Sequence, residues 1–235
     1  MTLQEIMLQL EQRGSEQTKK TFFRHGAREP LFGVKVEDLK KIQKKVKSDY
    51  ELSKQLYNTG NSDAMYLAGL IAAPEKMTKS DLQHWVEGAY WYMISEYTVP
   101  WVTSESNYGF ELALEWIKSP EENIAAAGWA TLASMIAIKE DNEIDTEKFK
   151  QLLQTATAEI HQAQNRVRYV MNNFIIAAGG YSPLLNPMAI DAASKIGVVT
   201  VDMGGTACKV PFATEYIEKM KARGTLGKRR KSPRC

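Results

Sequence analysis

Phe23-Arg-His-Gly-Ala-Arg-Glu-Pro-Leu-Phe-Gly-Val-Lys-Val-Glu-Asp-Leu-Lys-Lys-Ile42 is the stretch that decides the fold. Its second half reads as a helix, because Leu39 and Ile42, with Val46 just beyond, fall on one apolar stripe at helical spacing. Lysines crowd the same segment from Lys35 to Lys47, which makes it a basic cluster. The helical spacing recurs outward along the chain. Phe110, Ala113, Leu114 and Ile117 follow it, and so do Phe149, Leu152, Leu153 and Ala156. Asn61-Ser-Asp and Thr78-Lys-Ser-Asp read as helix starts, Ala73-Pro74 as a helix end, and Ser119-Pro120-Glu121-Glu122 as a cap. Helices of about 10–18 residues, paired about every 40 residues with little strand signal, predict an all-α protein. The architecture expected is an α-α superhelix, a HEAT or armadillo-like solenoid, as a single curved domain over residues 1–222.

Two segments depart from that pattern. Ile196–Cys208 carries a β-branched run and a glycine turn, so a short non-helical insert is expected there, as a strand or an extended connection. Within it, Val201-Asp-Met-Gly-Gly-Thr206 resembles the phosphate loop of actin-like and sugar kinases. That loop needs a β-hairpin near a domain start and further acidic motifs, which this chain lacks. A packed linker before a last helix at Pro211–Ala222 is the better reading. Residues 223–235 are expected to form a basic, flexible tail. From Lys219 to Cys235 the charge is +8, so the net +2 of the whole chain leaves −6 on the remainder. A basic tail on an acidic body suits a polyanion, because phosphate contacts release counterions.

Length and composition exclude several classes. With 235 residues, 44% of them hydrophobic, the chain can bury a large core, yet no run reaches the eighteen apolar residues of a membrane span. The start, Met-Thr-Leu-Gln-Glu-Ile, has no secretory pattern, and a cytoplasmic location is expected. Cys208 and Cys235 match no ligand spacing and read as spare thiols of a reducing compartment. His25 sits in the signature turn, where a structural hydrogen bond is expected, and His84 and His161 lack acidic or thiol partners at ligand spacing, so neither a metal nor a cofactor is expected. Walker and Gly-x-Ser-x-Gly motifs are absent.

The chemistry points elsewhere. Trp85-Val-Glu-Gly-Ala-Tyr-Trp-Tyr-Met-Ile-Ser-Glu-Tyr-Thr-Val-Pro-Trp101 holds three of the five tryptophans and one isolated carboxylate, Glu96. On a helix, Tyr92 and Glu96 share a face, and an aromatic ring beside a carboxylate can hold a cationic group. The alternative is a core helix with its aromatics buried and Glu96 at the rim. A second cluster lies at Asn165, Arg166, Arg168, Asn172 and Asn173. Arg166 and Asn173 share one helical face and Arg168 and Asn172 another, which makes either a solvated face or a set of phosphate contacts.

The opening stretch also resembles the DNA alkylation repair family of AlkD-like HEAT-repeat proteins, in which a Phe-Gly-Val type of turn opens a Leu-basic-basic-Ile helix. The resemblance covers roughly Leu3 to Gly180 and implies helix pairs whose concave basic face cradles duplex DNA. In active members it implies excision of cationic purines such as 3-methyladenine or 7-methylguanine, with a carboxylate near the sugar stabilising the developing positive charge. The family motif places a tryptophan, an aspartate and a proline at four-residue steps, and the matching positions here are Tyr92, Glu96 and Pro100. Its active-site arginine is expected within Asn123–Gly128, where none stands, and its second tryptophan near Met171-Asn172-Asn173.

These departures favour a divergent DNA-binding member with lost or altered glycosylase activity. Its expected phosphate contacts are Lys118, Arg166, Arg168, Asn172, Asn173, Lys228, Arg229, Arg230 and Lys231, with duplex DNA, alkylated or distorted, as partner. Tyr92 and Glu96 are the catalytic candidates if an alkylpurine glycosylase survives. A protein-binding solenoid is the third reading.

Overall fold

The structure, a computed structural model, describes residues 1–234. Its described residues carry thirteen α-helices and no strand. The chain runs α1 (Leu3–Arg13), α2 (Glu16–Arg24), α3 (Val36–Val46), α4 (Tyr50–Asn58), α5 (Ser62–Ile71), α6 (Lys79–Gly88) and α7 (Val99–Glu105). It continues as α8 (Gly109–Trp116), α9 (Glu122–Ile138), α10 (Thr146–Glu159), α11 (Asn165–Tyr181), α12 (Asn186–Ile196) and α13 (Ala213–Ala222). A π-helical turn, Met93–Thr98, leads directly into α7. Two compact units result, one of Met1–Tyr108 with Met203–Ala207, the other of Gly109–Asp202 with Cys208 onward.

In the first unit, the turn Phe32-Gly33-Val34 is held by one buried side chain. Asp63, 2% exposed, accepts the amide of Phe32 at 2.6 Å, of Gly33 at 3.0 Å and of Val34 at 2.9 Å. Gly33 is required twice over: its φ is +77°, and a Cβ there would meet the backbone of Ser15 and Lys19 at 2.7 Å. Leu39 and Ile42 then bury the inner face of α3. Asn61 caps α5 by accepting the amides of Asp63 and Ala64, and Thr78 forms a reciprocal capping box with Asp81. Burial raises the Asp63 carboxyl above the usual carboxylate range, outweighing the backbone amides that stabilise its charge.

In the second unit, α10 buries Phe149, Leu152, Leu153 and Ala156, the stripe expected from spacing. On α8 the buried face is instead Gly109, Leu112, Ala113 and Trp116, while Phe110, Leu114 and Ile117 are only half-buried. The reason is close contact with α9: a Cβ on Gly128 would lie 2.7 Å from the Ile117 amide, so the helices touch backbone to backbone there. The insert after Ile196 is a connection with neither helix nor strand. Asn165 clasps it, donating to the Asp202 carbonyl at 2.8 Å and accepting the Asp202 amide at 2.7 Å.

The basic tail departs from its expected freedom. Gly227 donates its amide to the Gly180 carbonyl and Arg230 to that of Ala137. Between them the Arg229 guanidinium donates to the carbonyls of Ile136 and Tyr181, near the C-termini of α9 and α11, and pairs with Asp141. Helix C-termini carry unsatisfied carbonyls and partial negative charge, so a cation seated against two of them satisfies both. Residues 227–230 therefore lie against the body of this unit.

Candidate nucleic-acid interface

Tyr92 and Glu96 do stand on one element, and its helical geometry is widened rather than regular. Pro100 has no N–H to offer the Glu96 carbonyl four residues earlier, and its ring would crowd that carbonyl. The π-helical turn just before Pro100 relieves both, and the Thr98 hydroxyl bonds the Met93 carbonyl at 3.2 Å across it. Rings gather around this turn. Tyr92 lies edge-on to His25, Trp91 and Tyr97, at centroid distances of 5.9, 5.3 and 6.3 Å, and Tyr97 reaches Trp101 at 6.0 Å. Trp91 is fixed by a 2.8 Å bond from its indole nitrogen to the Ser62 hydroxyl. Glu96, on this turn, is buried at 7% exposure, and Tyr92 is half-buried. An acid and a rim of π faces are thus in place, but little of the carboxylate meets solvent.

The other expected pocket groups are filled differently. Ala125, Ala126, Ala127 and Gly128 are buried against their neighbours, so the α9 segment that would carry an arginine is packed tight with small side chains. At the second tryptophan position, Met171 is 2% exposed and Asn172 1% exposed. Asn172 donates to the Pro211 carbonyl at 2.8 Å, tying α11 to the connection before α13, while its Oδ1 has no hydrogen-bond partner.

Helix α11 carries the most informative cation. Arg168 is half-buried, its Nε is shut off from solvent without a partner, and its guanidinium makes no hydrogen bond or ion pair with any described residue. One turn along the same face lies Asn172 with its unmet oxygen. A planar guanidinium held by packing alone, with its fork open, suits bidentate capture of a phosphate. Arg166 differs: its guanidinium stacks on the Tyr169 ring at 4.5 Å, and its amide donates to Glu122 at 2.8 Å. Asn173 is half-buried.

The remaining expected contacts scatter. Lys118 is exposed on the turn after α8. Lys228, Arg230 and Lys231 are exposed, whereas Arg229 is spent within the fold, its side chain 9% exposed. Arg229 was expected to meet DNA; the carbonyls and carboxylate around it take up its donors instead. These tail residues sit by the C-terminus of α11, ~20 Å along the axis from Arg168, so one phosphate contact does not use both. Asp63, whose three amide bonds build the signature turn, escaped the sequence reading because its partners lie 29 to 31 residues away. The histidines bind protein: His84 bonds Asn58 and His161 the Ile196 carbonyl, each at 2.9 Å. Among the described residues no three His, Cys, Asp or Glu cluster to hold a metal, and no helix is long and apolar enough to cross a membrane. Cys208 is an exposed free thiol; Cys235 lies outside the described residues.

Comparison with known proteins places this geometry in a lineage. The family profile described as DNA alkylation repair enzyme matches residues 6–217. An uncharacterized protein of Listeria monocytogenes is 33% identical over 229 residues, and one of Listeria innocua 34%, each comparison covering 95% of this chain and 99% of the relative. A solved structure is 38% identical and superposes with a TM-score of 0.91 over 100% of both chains. It is described as a new family of proteins related to the HEAT-like repeat DNA glycosylases, with affinity for branched DNA structures.

Proposed function

The chain belongs to the DNA alkylation repair enzyme family, and on that premise we propose that it is a DNA-binding helical-repeat protein of the cytoplasm that grips backbone phosphates. The observation that carries this reading is the guanidinium of Arg168 on α11, which has no hydrogen-bond or ion-pair partner among the described residues. Asn172, 1% exposed and with its amide group donating to the Pro211 carbonyl, is not among the contacts. Affinity of the 38%-identical relative for branched DNA supports the same partner class here. Arg166 and Asn173, on the same helix, and Lys118 extend the contact, and Lys228, Arg230 and Lys231 add charge from the docked tail. Fluorescence anisotropy with a labelled four-way junction tests it. Arg168→Ala should weaken binding about tenfold, with circular dichroism unchanged, and reduce the salt slope by about one. Undiminished affinity would refute the assignment.

A second reading, excision of cationic alkylated purines, is favoured by Glu96 standing on the same turn as Tyr97, one turn from Tyr92, where aromatic rings gather. It ranks lower because Glu96 is 93% buried and no arginine stands on the α9 segment. Release of 7-methylguanine from methylated duplex by wild type but not by Glu96→Gln would raise it to first place. Equal release from both, or none from either, would remove Glu96 as a catalytic residue.

A further inference from the structure

A cleft of about 650 Å³ opens in the second unit between α8 and α10, over α9 and α11. Its floor is buried apolar surface from Trp129, Val167 and Met171. One wall holds Leu114 of α8 and Ile117 just past its end, side chains that spacing marks as core but the fold leaves half-buried. Leu114 and Ile117 leave part of their apolar surface open to the cleft, which an apolar ligand face would cover favourably. The mouth is polar. Lys118 and Lys148 are exposed there, and neither ammonium makes an ion pair or hydrogen bond with a described residue. The side chains of Gln151 and Glu159 are likewise without partners among those residues. Lys148 and Glu159 lie at opposite ends of the α10 face, ~16 Å apart along the helix axis.

We propose that this cleft is a nucleotide-binding site, with the flat ring system on the apolar floor, the phosphate toward Lys148 and an exocyclic amino group toward Glu159. The volume suits a ligand of that size, an apolar bed with few polar groups is the usual composition of such sites, and a lysine without a carboxylate partner is free to take phosphate. Glu159 can accept only from a donor, which selects a base edge bearing an amino group. All its lining residues belong to the second unit, and Glu96 belongs to the first. A free mononucleotide and an unpaired nucleotide at a DNA end share this chemistry; the second source rests on the DNA-binding function proposed above.

Titration calorimetry of the full chain with AMP, and anisotropy with a blunt duplex against one carrying a short 3′ single-stranded extension, separate the sources. Wild type should bind AMP saturably, prefer the extended duplex, or both. Lys148→Glu and Thr155→Trp, the latter filling the cleft from its half-buried rim, should each weaken AMP binding about tenfold or abolish the preference, leaving blunt-duplex affinity unchanged. Absence of both behaviours in wild type, or their persistence in both variants, overturns the proposal. If blunt duplex is bound while both behaviours are absent, the cleft assignment fails and the DNA reading stands. If AMP binds and no DNA does, the DNA reading fails and the cleft assignment stands.

Discussion

Asp63→Ala is the perturbation that most sharply tests how the signature turn is built. The carboxylate accepts three backbone amides, at 2.6, 3.0 and 2.9 Å, in a site where the residue is 2% exposed. Truncation leaves those donors buried and unmet, each costing about 1–3 kcal/mol before relaxation. Water entering the small void would satisfy some of them, so the net loss should be about 3–5 kcal/mol. Asp63→Asn keeps the shape but turns an NH2 group toward one set of amides, so it should lose about 2 kcal/mol or more. Urea unfolding followed by tryptophan fluorescence reads this well, since Trp85, Trp91 and Trp101 all lie in the same unit. A loss below about 1 kcal/mol for Asp63→Ala would refute the claim that this carboxylate organises the turn. The pH term has a definite sign. Because burial raises the carboxyl, the folded state holds its proton more tightly than the unfolded one, and this group favours folding more as pH falls through its folded value.

Three further outcomes are expected. Arg229→Ala removes a cation seated against two helix C-termini and Asp141, and should destabilise the second unit by about 2–4 kcal/mol in thermal or urea unfolding; a change within about 0.5 kcal/mol would show the seat to be incidental. Burial raises the Asp141 carboxyl, but Ser182, Arg229 and the Leu184 amide together bring it below its ordinary value. Its stabilisation is therefore complete above about pH 4 and lost as pH falls through the lower folded value, so Asp141→Asn should flatten the acid limb of the stability profile. Deleting Leu226 onward should weaken junction binding at low salt and also lower the unfolding midpoint, whereas loss of binding alone would mean the tail contributes charge without docking.

How far the sequence could be read depended on whether the partners were local. Caps at Asn61 and Thr78 and the α10 stripe need only neighbouring residues, and all three are found as expected. The α8 stripe was displaced because Gly128, on the next helix, lets α9 approach so closely that a different face is buried. The π-helical turn follows from Pro100, yet Tyr92 and Glu96 share a face in either geometry. Asp63 looked like part of a helix start, and nothing near it announces amide partners some thirty residues earlier. Arg229 was one of a run of cations, and only the carbonyls of Ile136 and Tyr181 distinguish it from Lys228 and Arg230. Arg168 was legible as a basic residue on a helix, but its lack of a partner among the described residues is a property of the packed structure.

The most direct test of DNA binding as the function is the salt dependence of affinity for a four-way junction. If several phosphates are neutralised, log K should fall with log salt at a slope of magnitude about three or more between low and moderate salt. A flat dependence, or no measurable binding at low salt, would contradict it.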